Sequence, residues 1–271
     1  MVKKAIIGMF LRIRVVGMLI DKNIKEAKLE NAEIKRIMSE GGVLWEKNTV
    51  PGPSKLIGGN LQAGFYGEVS TSDFITGDEL AKRIGLSAGV SQFSNEPWLK
   101  FSYLGKTEFI AKKTFRHSIS WDSINDVNAV YGNRTIEING NIYKVRLVKG
   151  KNEGLQKEQK KTYKELYYSE WNKLMLPIHK NAPSSFDFKL AVIIPTENWN
   201  VGYTDVDLLT TTENKVGYNT WCQGVGDQTY EIILRGGGSS VVSSDVSFTN
   251  CYPSGVAWDN FGWRPVLELV D

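Results

Sequence analysis

Tyr230-Glu231-Ile232-Ile233-Leu234-Arg235-Gly236-Gly237-Gly238 and, after a polar stretch, Phe261-Gly262-Trp263-Arg264-Pro265-Val266-Leu267-Glu268-Leu269 decide how this chain is read. The first run is rich in aliphatic and β-branched residues and predicts a strand. The triple glycine marks where that strand ends and the backbone passes close to something else. The stretch that follows is built from Ser, Asn, Asp and Gly and is too poor in apolar residues to be core. The second run is aromatic and apolar and predicts a strand that closes the chain. A closing strand fixes the far end of the polar stretch, which becomes a loop tethered at both ends. Long tethered loops on a rigid frame are where binding sites concentrate.

Four motifs in chain order carry a family resemblance. The Arg235-Gly236-Gly237 turn, the polar stretch and the Gly262-Trp263-Arg264 terminus form one. Ser118-Ile119-Ser120-Trp121-Asp122, Tyr143-Lys144-Val145-Arg146-Leu147 and Ser169-Glu170-Trp171-Asn172 are the others. Together they span residues 100–271 and resemble the C-type lectin fold. The branch is the one shared by formylglycine-generating, sulfatase-modifying enzymes and by phage and retroelement-diversified binding proteins. The chain from Leu44 onward is also similar to modules of bacteriophage and prophage tail-tip proteins. The resemblance implies an α+β, C-type-lectin-like domain with a mostly antiparallel sheet and two or three helices. It also matches Arg235 and Arg264 to framework arginines that bond loop carbonyls.

At 271 residues the chain holds one large domain, or one domain with an appendage. A hydrophobic content of 41% with eight Trp is enough for a sizeable core and argues against disorder. The net charge of +3 is mild, and no basic stripe interleaves with aromatics, so no nucleic-acid partner is expected. The basic cluster Lys157 to Lys164 is broken by Glu158 and Gln159 and reads as a solvated segment. Two cysteines, Cys222 and Cys251, cannot make a disulfide framework; they pair with each other or stay free. His117 and His179 have no zinc spacing. The first twenty residues begin basic and apolar, but Arg12 and Arg14 interrupt the run and no small-residue cleavage site follows. Neither a signal peptide nor membrane insertion is expected.

The N-terminus reads as a heptad instead. Ile6, Phe10, Ile13, Gly17, Ile20, Ile24, Ala27, Asn31, Ile34 and Met38 follow alternating steps of four and three, the a/d seam of a coiled coil. Asn31 falls at an a position, and Gly41-Gly42 ends the helix. An amphipathic helix packed on its own domain is the other reading of the same pattern. Residues 1–42 are therefore expected to be an oligomerisation or attachment helix, with a homotrimer as the assembly. Residues 43–271 form the lectin-like domain, with entry strands and a short helix over 43–99 and the family-like core over 100–271.

Within that domain, Gly and Pro punctuation over 43–75 excludes long helices. Thr76 to Leu86 predicts a short helix ended by Gly85. Trp98 to Leu104 and Thr107 to Ala111 predict a hairpin, and Trp98 and Phe101 read as core. Trp121 to Val130 predicts a helix started by Ser120 or Asp122. Thr135 to Leu147 predicts a hairpin around Asn139-Gly140, which supplies the positive φ angles of a two-residue turn. A helix is expected over Glu165 to Met175 and a strand over Leu190 to Ile194.

No nucleophile elbow, phosphate loop or zinc helix is present. Formylglycine-generating enzymes use two cysteines near the C-terminus to bind copper. Cys222 and Cys251 lie in the matching region, but their flanks lack that pattern, and no basic residue adjoins either thiol. Among the scattered carboxylates, Asp205 and Asp207, near Asn200 and Tyr203, are the candidates for calcium. No loop has the dense acidic spacing of a calcium site, so no cofactor is expected.

Binding is the function the composition favours. Aromatic and small polar residues on loops make adaptable recognition surfaces. Trp199, Tyr203, Tyr218, Trp221, Tyr252 and Trp258 are the candidate ligand-binding residues, set among Asn, Ser, Thr and Gly. Some of these aromatics are expected to fill the core beneath the loops, as Tyr230 and Trp263 do. The resemblance makes the expected protein a phage or prophage tail-tip receptor-binding protein on the virion. Its partners would be a host-surface glycan or protein and other tail proteins. A structural virion component and a formylglycine-generating-type oxidase are the alternatives. The polar loop before the glycine-aromatic-arginine terminus is also similar to the variable region of retroelement-diversified proteins.

Overall fold

The computed structural model describes residues 4–7, 11–14, 28–29, 32–33, 36–39, 42–46, 50–151, 169–187, 192–194, 196–209, 217–225, 231–238 and 245–270. The chain divides into two compact units, Met1–Val50 and Pro51–Asp271.

The N-terminal unit corrects the expectation of a helix over 1–42. Its described residues are strands: β1 (Lys4–Ile7), β2 (Leu11–Arg14), β3 (Lys28–Leu29), β4 (Ala32–Glu33), β5 (Arg36–Ser39) and β6 (Gly42–Glu46). Four of them form an antiparallel sheet in the order β2-β1-β5-β6. Ile6 pairs with Arg12 on one side and Met38 on the other, so two residues of the supposed seam sit on neighbouring strands. The reason is in the local pattern: Leu11-Arg12-Ile13-Arg14 alternates with period two, and branched residues favour a pleated surface. Phe10, Gly17, Ile20, Ile24, Ala27, Asn31 and Ile34 lie outside the described residues. A trimer argued from a coiled coil loses that support.

The second unit is sheet-rich with few, short helices. Its strands are β7 (Gly58–Gly59), β8 (Ala63–Val69), β9 (Val90–Ser91), β10 (Trp98–Tyr103), β11 (Lys106–Ala111), β12 (Arg116–His117), β13 (Tyr131–Ile138) and β14 (Asn141–Leu147). They continue with β15 (Ser185–Asp187), β16 (Val192–Ile194), β17 (Asn219–Val225), β18 (Glu231–Arg235), β19 (Thr249–Pro253), β20 (Phe261–Trp263) and β21 (Pro265–Leu269). One antiparallel sheet runs β13-β14-β21-β11-β10-β8-β7. A second runs β19-β18-β17-β20-β12-β9, with β17 and β20 parallel and the other pairs antiparallel. The closing run is thus two strands: Phe261–Trp263 completes the second sheet and Pro265–Leu269 sits in the middle of the first.

Local chemistry explains the expected elements. Helix α1 (Gly77–Ile84) starts at Thr76, whose hydroxyl accepts from the Glu79 N–H, and ends at Gly85 with φ 79°. Helix α2 (Trp121–Asp126) is capped by Ser120 and helix α3 (Glu170–Leu174) by Ser169. Helix α4 (Asp205–Leu208) begins with a capping box between Thr204 and Asp207. Asn139 (φ 51°) and Gly140 (φ 77°) make the tight turn of the β13–β14 hairpin.

The seven-stranded sheet is buried on both faces. Phe74 packs against Phe109 and Tyr143 with ring centroids 4.5 and 5.2 Å apart. A separate cluster holds Phe65, Leu99, Phe101, Ile110, Trp171 and Leu174. Charged groups are also enclosed here, and one set of them forms an ionic cluster. Arg146 on β14 is fully enclosed and bonds Glu108 on β11 at 2.6 Å, Glu170 on α3 at 2.7 Å and Glu268 on β21 at 2.9 Å. Lys106 holds the other oxygen of Glu268 at 2.8 Å, and the Lys149 N–H donates to Glu170 at 2.8 Å.

Three carboxylates cannot all stay ionised on one guanidinium. Burial, then the nearby Glu170 charge, raises the Glu108 carboxyl well above its ordinary value. Burial also opposes ionisation of Glu170. The Arg146 charge, with hydrogen bonds from Glu108, Arg146 and Lys149, outweighs it and leaves Glu170 well below the ordinary range.

Among the described residues, the edges of the seven- and six-stranded sheets are blunted. β7 and β9 have two residues apiece, and β13 carries a bulge between Tyr131 and Arg134. On β19 the register and the Gly236 N–H to Phe248 carbonyl bond turn residues 249, 251 and 253 outward. The Cys251 N–H is capped by the Asn250 side chain at 2.9 Å, and Pro253 has no N–H.

The cluster makes stability depend on pH in two opposite ways. Glu170, depressed on folding, adds stability above its unfolded value of 4.5, and this is lost as pH falls toward its folded value. Glu108, raised on folding, adds stability fully present below 4.5 and lost as pH rises through its folded value. Urea titrations should show Glu170→Gln losing about 3 kcal/mol at pH 7. Glu108→Gln should lose less than about 1 kcal/mol there and should flatten the decline between pH 5 and pH 8.

Candidate functional site

The exposed end of the second sheet carries a fixed aromatic platform. It is built on β19, the turn 254–260 and β20. Backbone bonds lock the turn from every side. Val256 donates to the Pro253 carbonyl and Phe261 to Trp258, Gly217 to Asp259, Asn219 to Asn260, and Asp122 to Ser254. Phe261, Trp221 and Tyr252 form the base. Trp221 meets Phe261 with centroids 5.0 Å apart, and Tyr252 meets Phe261 at 4.9 Å. Trp258 stacks on Phe261 at 5.5 Å and 25°, and stands edge-to-face with Tyr252 at 5.1 Å and 67°. Trp258 is nonetheless 54% exposed. An indole stacked below and open above is held for contact without ordering cost at the moment of binding.

The six candidate residues separate into different roles. Trp258 and Tyr252 belong to this platform. Tyr218 lies beside it, its hydroxyl accepting from Asn260 at 3.4 Å. Trp221 is a correction: it is completely buried, and its indole N–H donates to the Ile119 carbonyl at 2.7 Å. It supports the platform and cannot touch a ligand. Trp199 and Tyr203 belong to another group near β7 and β8. Trp199 packs on Gly58 and Gly59. Tyr203 donates to Glu68 at 2.7 Å, and Lys112 lies 2.7 Å from the same carboxylate and 5.0 Å from the Tyr203 ring. Burial, reinforced by Glu68, pushes the Tyr203 hydroxyl pKa upward, so it remains a donor.

Phe261, the hub of the platform, was not singled out from sequence. The available signal was its place at the head of the closing run, as the aromatic before Gly262-Trp263. The triple glycine behaves as expected. Gly236 and Gly237 have φ of 67° and 88°, and a Cβ on Gly237 would collide with Asn219 and Tyr218. Arg235 and Arg264 are structural: both are enclosed and bracket Trp171, at 5.9 and 5.3 Å from its ring. Arg264 donates to the Leu208 and Lys112 carbonyls at 2.6 and 2.7 Å.

Cys222 and Cys251 form no disulfide. Cys222 on β17 and Cys251 on β19 are separated by β18, where Cys251 pairs with Ile233. Two strand spacings put their backbones ~10 Å apart, beyond the ~7 Å limit for a disulfide. Burial raises the Cys222 thiol pKa despite Arg235 and Arg264, so it is an inert core thiol. Asp207 is committed to its capping box with Thr204. Asp205 accepts from the Val246 N–H at 2.7 Å and lies 3.5 Å from His179 Nε2. Among the described residues no group of three or more His, Cys, Asp or Glu could hold a metal ion.

Compared with known proteins, the chain matches no family model, no curated protein and no solved structure.

The division between support and surface is measurable. Trp221→Ala should cost about 3–5 kcal/mol in a denaturant titration, whereas Trp258→Ala should cost about 1 kcal/mol. Under oxidising conditions the native protein should keep two titratable thiols once unfolded, with no Cys222–Cys251 cross-link by mass spectrometry.

Proposed function

We propose that this chain is a receptor-binding protein of a bacteriophage or prophage tail tip. In this reading the unit from Pro51 onward is a C-type-lectin-like display domain that offers its C-terminal aromatic surface to a host-surface glycan or protein. The observation that carries the reading is Trp258, more than half exposed on a turn whose backbone is tied down on all sides. A large aromatic left in solvent at the cost of its own burial, and pre-stacked on a buried ring, is the kind of anchor that recognition surfaces use. Tyr252, Tyr218 and Asn260 supply the adaptable polar contacts around it. Several copies on one particle would multiply a weak single-site affinity.

The test is binding of the fluorescently labelled protein to candidate host cells. Wild type should bind saturably. Trp258→Ala should lose at least tenfold in affinity while its unfolding midpoint stays close to wild type. Equal binding by Trp258→Ala would overturn the reading and favour a structural virion component.

A further inference from the structure

We propose that the Trp258 surface takes an organic ammonium group, either a quaternary ammonium or a protonated primary amine. This rests on the reading of that surface as the binding site and names the chemistry it recognises. The first observation is the ring geometry. One face of Trp258 is covered by Phe261, and Tyr252 stands nearly perpendicular beside it. The uncovered indole presents the negative face of its quadrupole to solvent, the surface a cation seeks.

The second observation is the distribution of charge. The chain carries 33 Lys and Arg and a net charge of +3. Yet the segment from Gly236 to Trp263 contains no Lys, Arg or His, and neither does the segment from Ser118 to Asn133. The Asp122 N–H to Ser254 carbonyl bond joins these segments at the platform. Apart from Asp245, whose charge acts on the buried Arg235, the acids they bring are Asp259, next to Trp258, and Asp122 and Asp126 on α2. All three are exposed and have no ion-pair partner among the described residues. Many other carboxylates of the unit are already engaged: Glu68, Glu79, Glu108, Glu170 and Glu268 each hold a cation. His117 is the basic group closest in influence to Asp259. Burial lowers its pKa against the pull of Asp259, so it stays neutral at pH 7.

An open indole face flanked by Asp259 and by Asp122, on two segments that carry no Lys, Arg or His, complements a cation with an apolar shell. A neutral ligand would gain nothing from the unpaired acids. A hydrated metal ion would find no three-ligand group among the described residues.

Isothermal titration of the whole chain tests this with choline chloride, n-butylammonium chloride and 3,3-dimethylbutanol, the neutral carbon analogue of choline. At least one ammonium probe should bind saturably, about tenfold more tightly than the neutral alcohol. Binding should vanish in Trp258→Ala and weaken about two- to fivefold in Asp259→Asn. Stronger choline binding identifies a quaternary ammonium source, and stronger butylammonium binding a primary amine. No ammonium binding, equal binding of the alcohol, or binding that survives Trp258→Ala overturns the proposal. Trp258-dependent attachment to cells without ammonium binding would overturn this inference and leave the receptor-binding reading standing. Loss of both would remove both.

Discussion

The seven-stranded sheet and helix α3 meet at one buried cation. Arg146 gathers carboxylates from two other strands and a helix, and no hydrophobic contact could specify that meeting so tightly. The cost of enclosing a guanidinium is met only if its donors are filled, so β11, β14, β21 and α3 must reach their final positions together. That requirement draws the closing strand into the centre of the sheet. The cluster also sets a limit on charge: three acids share Arg146 and Lys106, and burial beside Glu170 raises the Glu108 pKa and favours its neutral form. The interior is therefore held by ionic geometry as well as by packing, and Glu108 contributes as a neutral acid.

From that fixed strand the position of the aromatic platform follows. The chain leaves β20 at Trp263 and enters β21 two residues later, so the two sheets share one continuous segment through Arg264. Arg264 bonds carbonyls of the loop after β11 and of helix α4, binding the sheets at that hinge. The rings then step outward from Trp221 to Phe261 to Trp258, from complete burial to open solvent. The same ladder makes the outermost ring rigid and leaves it exposed.

Much of this was legible in the sequence, for local reasons. Helix α1 and the Asn139-Gly140 hairpin are fixed by caps and turn residues a few positions apart, and both came out as read. The glycine run and the closing run were also legible, because glycine and alternation report backbone geometry directly. The N-terminal pattern misled because an apolar residue every third or fourth position also fits short strands, and Leu11-Arg12-Ile13-Arg14 had the stronger period. Trp221 was misplaced because its burial comes from the pairing of β17 with β20, forty residues away in sequence and parallel. The Arg146 cluster was beyond reach for the same reason. Its carboxylates stand at 108, 170 and 268, and nothing near any of them announces the others.

The blunted edges bear on how such a protein can live in a crowd. Sheets with open rims recruit one another, and the hazard grows when many copies are held side by side. Here Asn250 and Pro253 silence the outer rim of β19, a bulge bends β13 aside, and β7 and β9 are too short to template a neighbour. These features oppose edge-to-edge pairing of the two large sheets. They also mean that a partner gains no hold on the backbone: whatever docks on this domain must be met by side chains alone, so its selectivity can drift by point substitution while the scaffold stays unchanged.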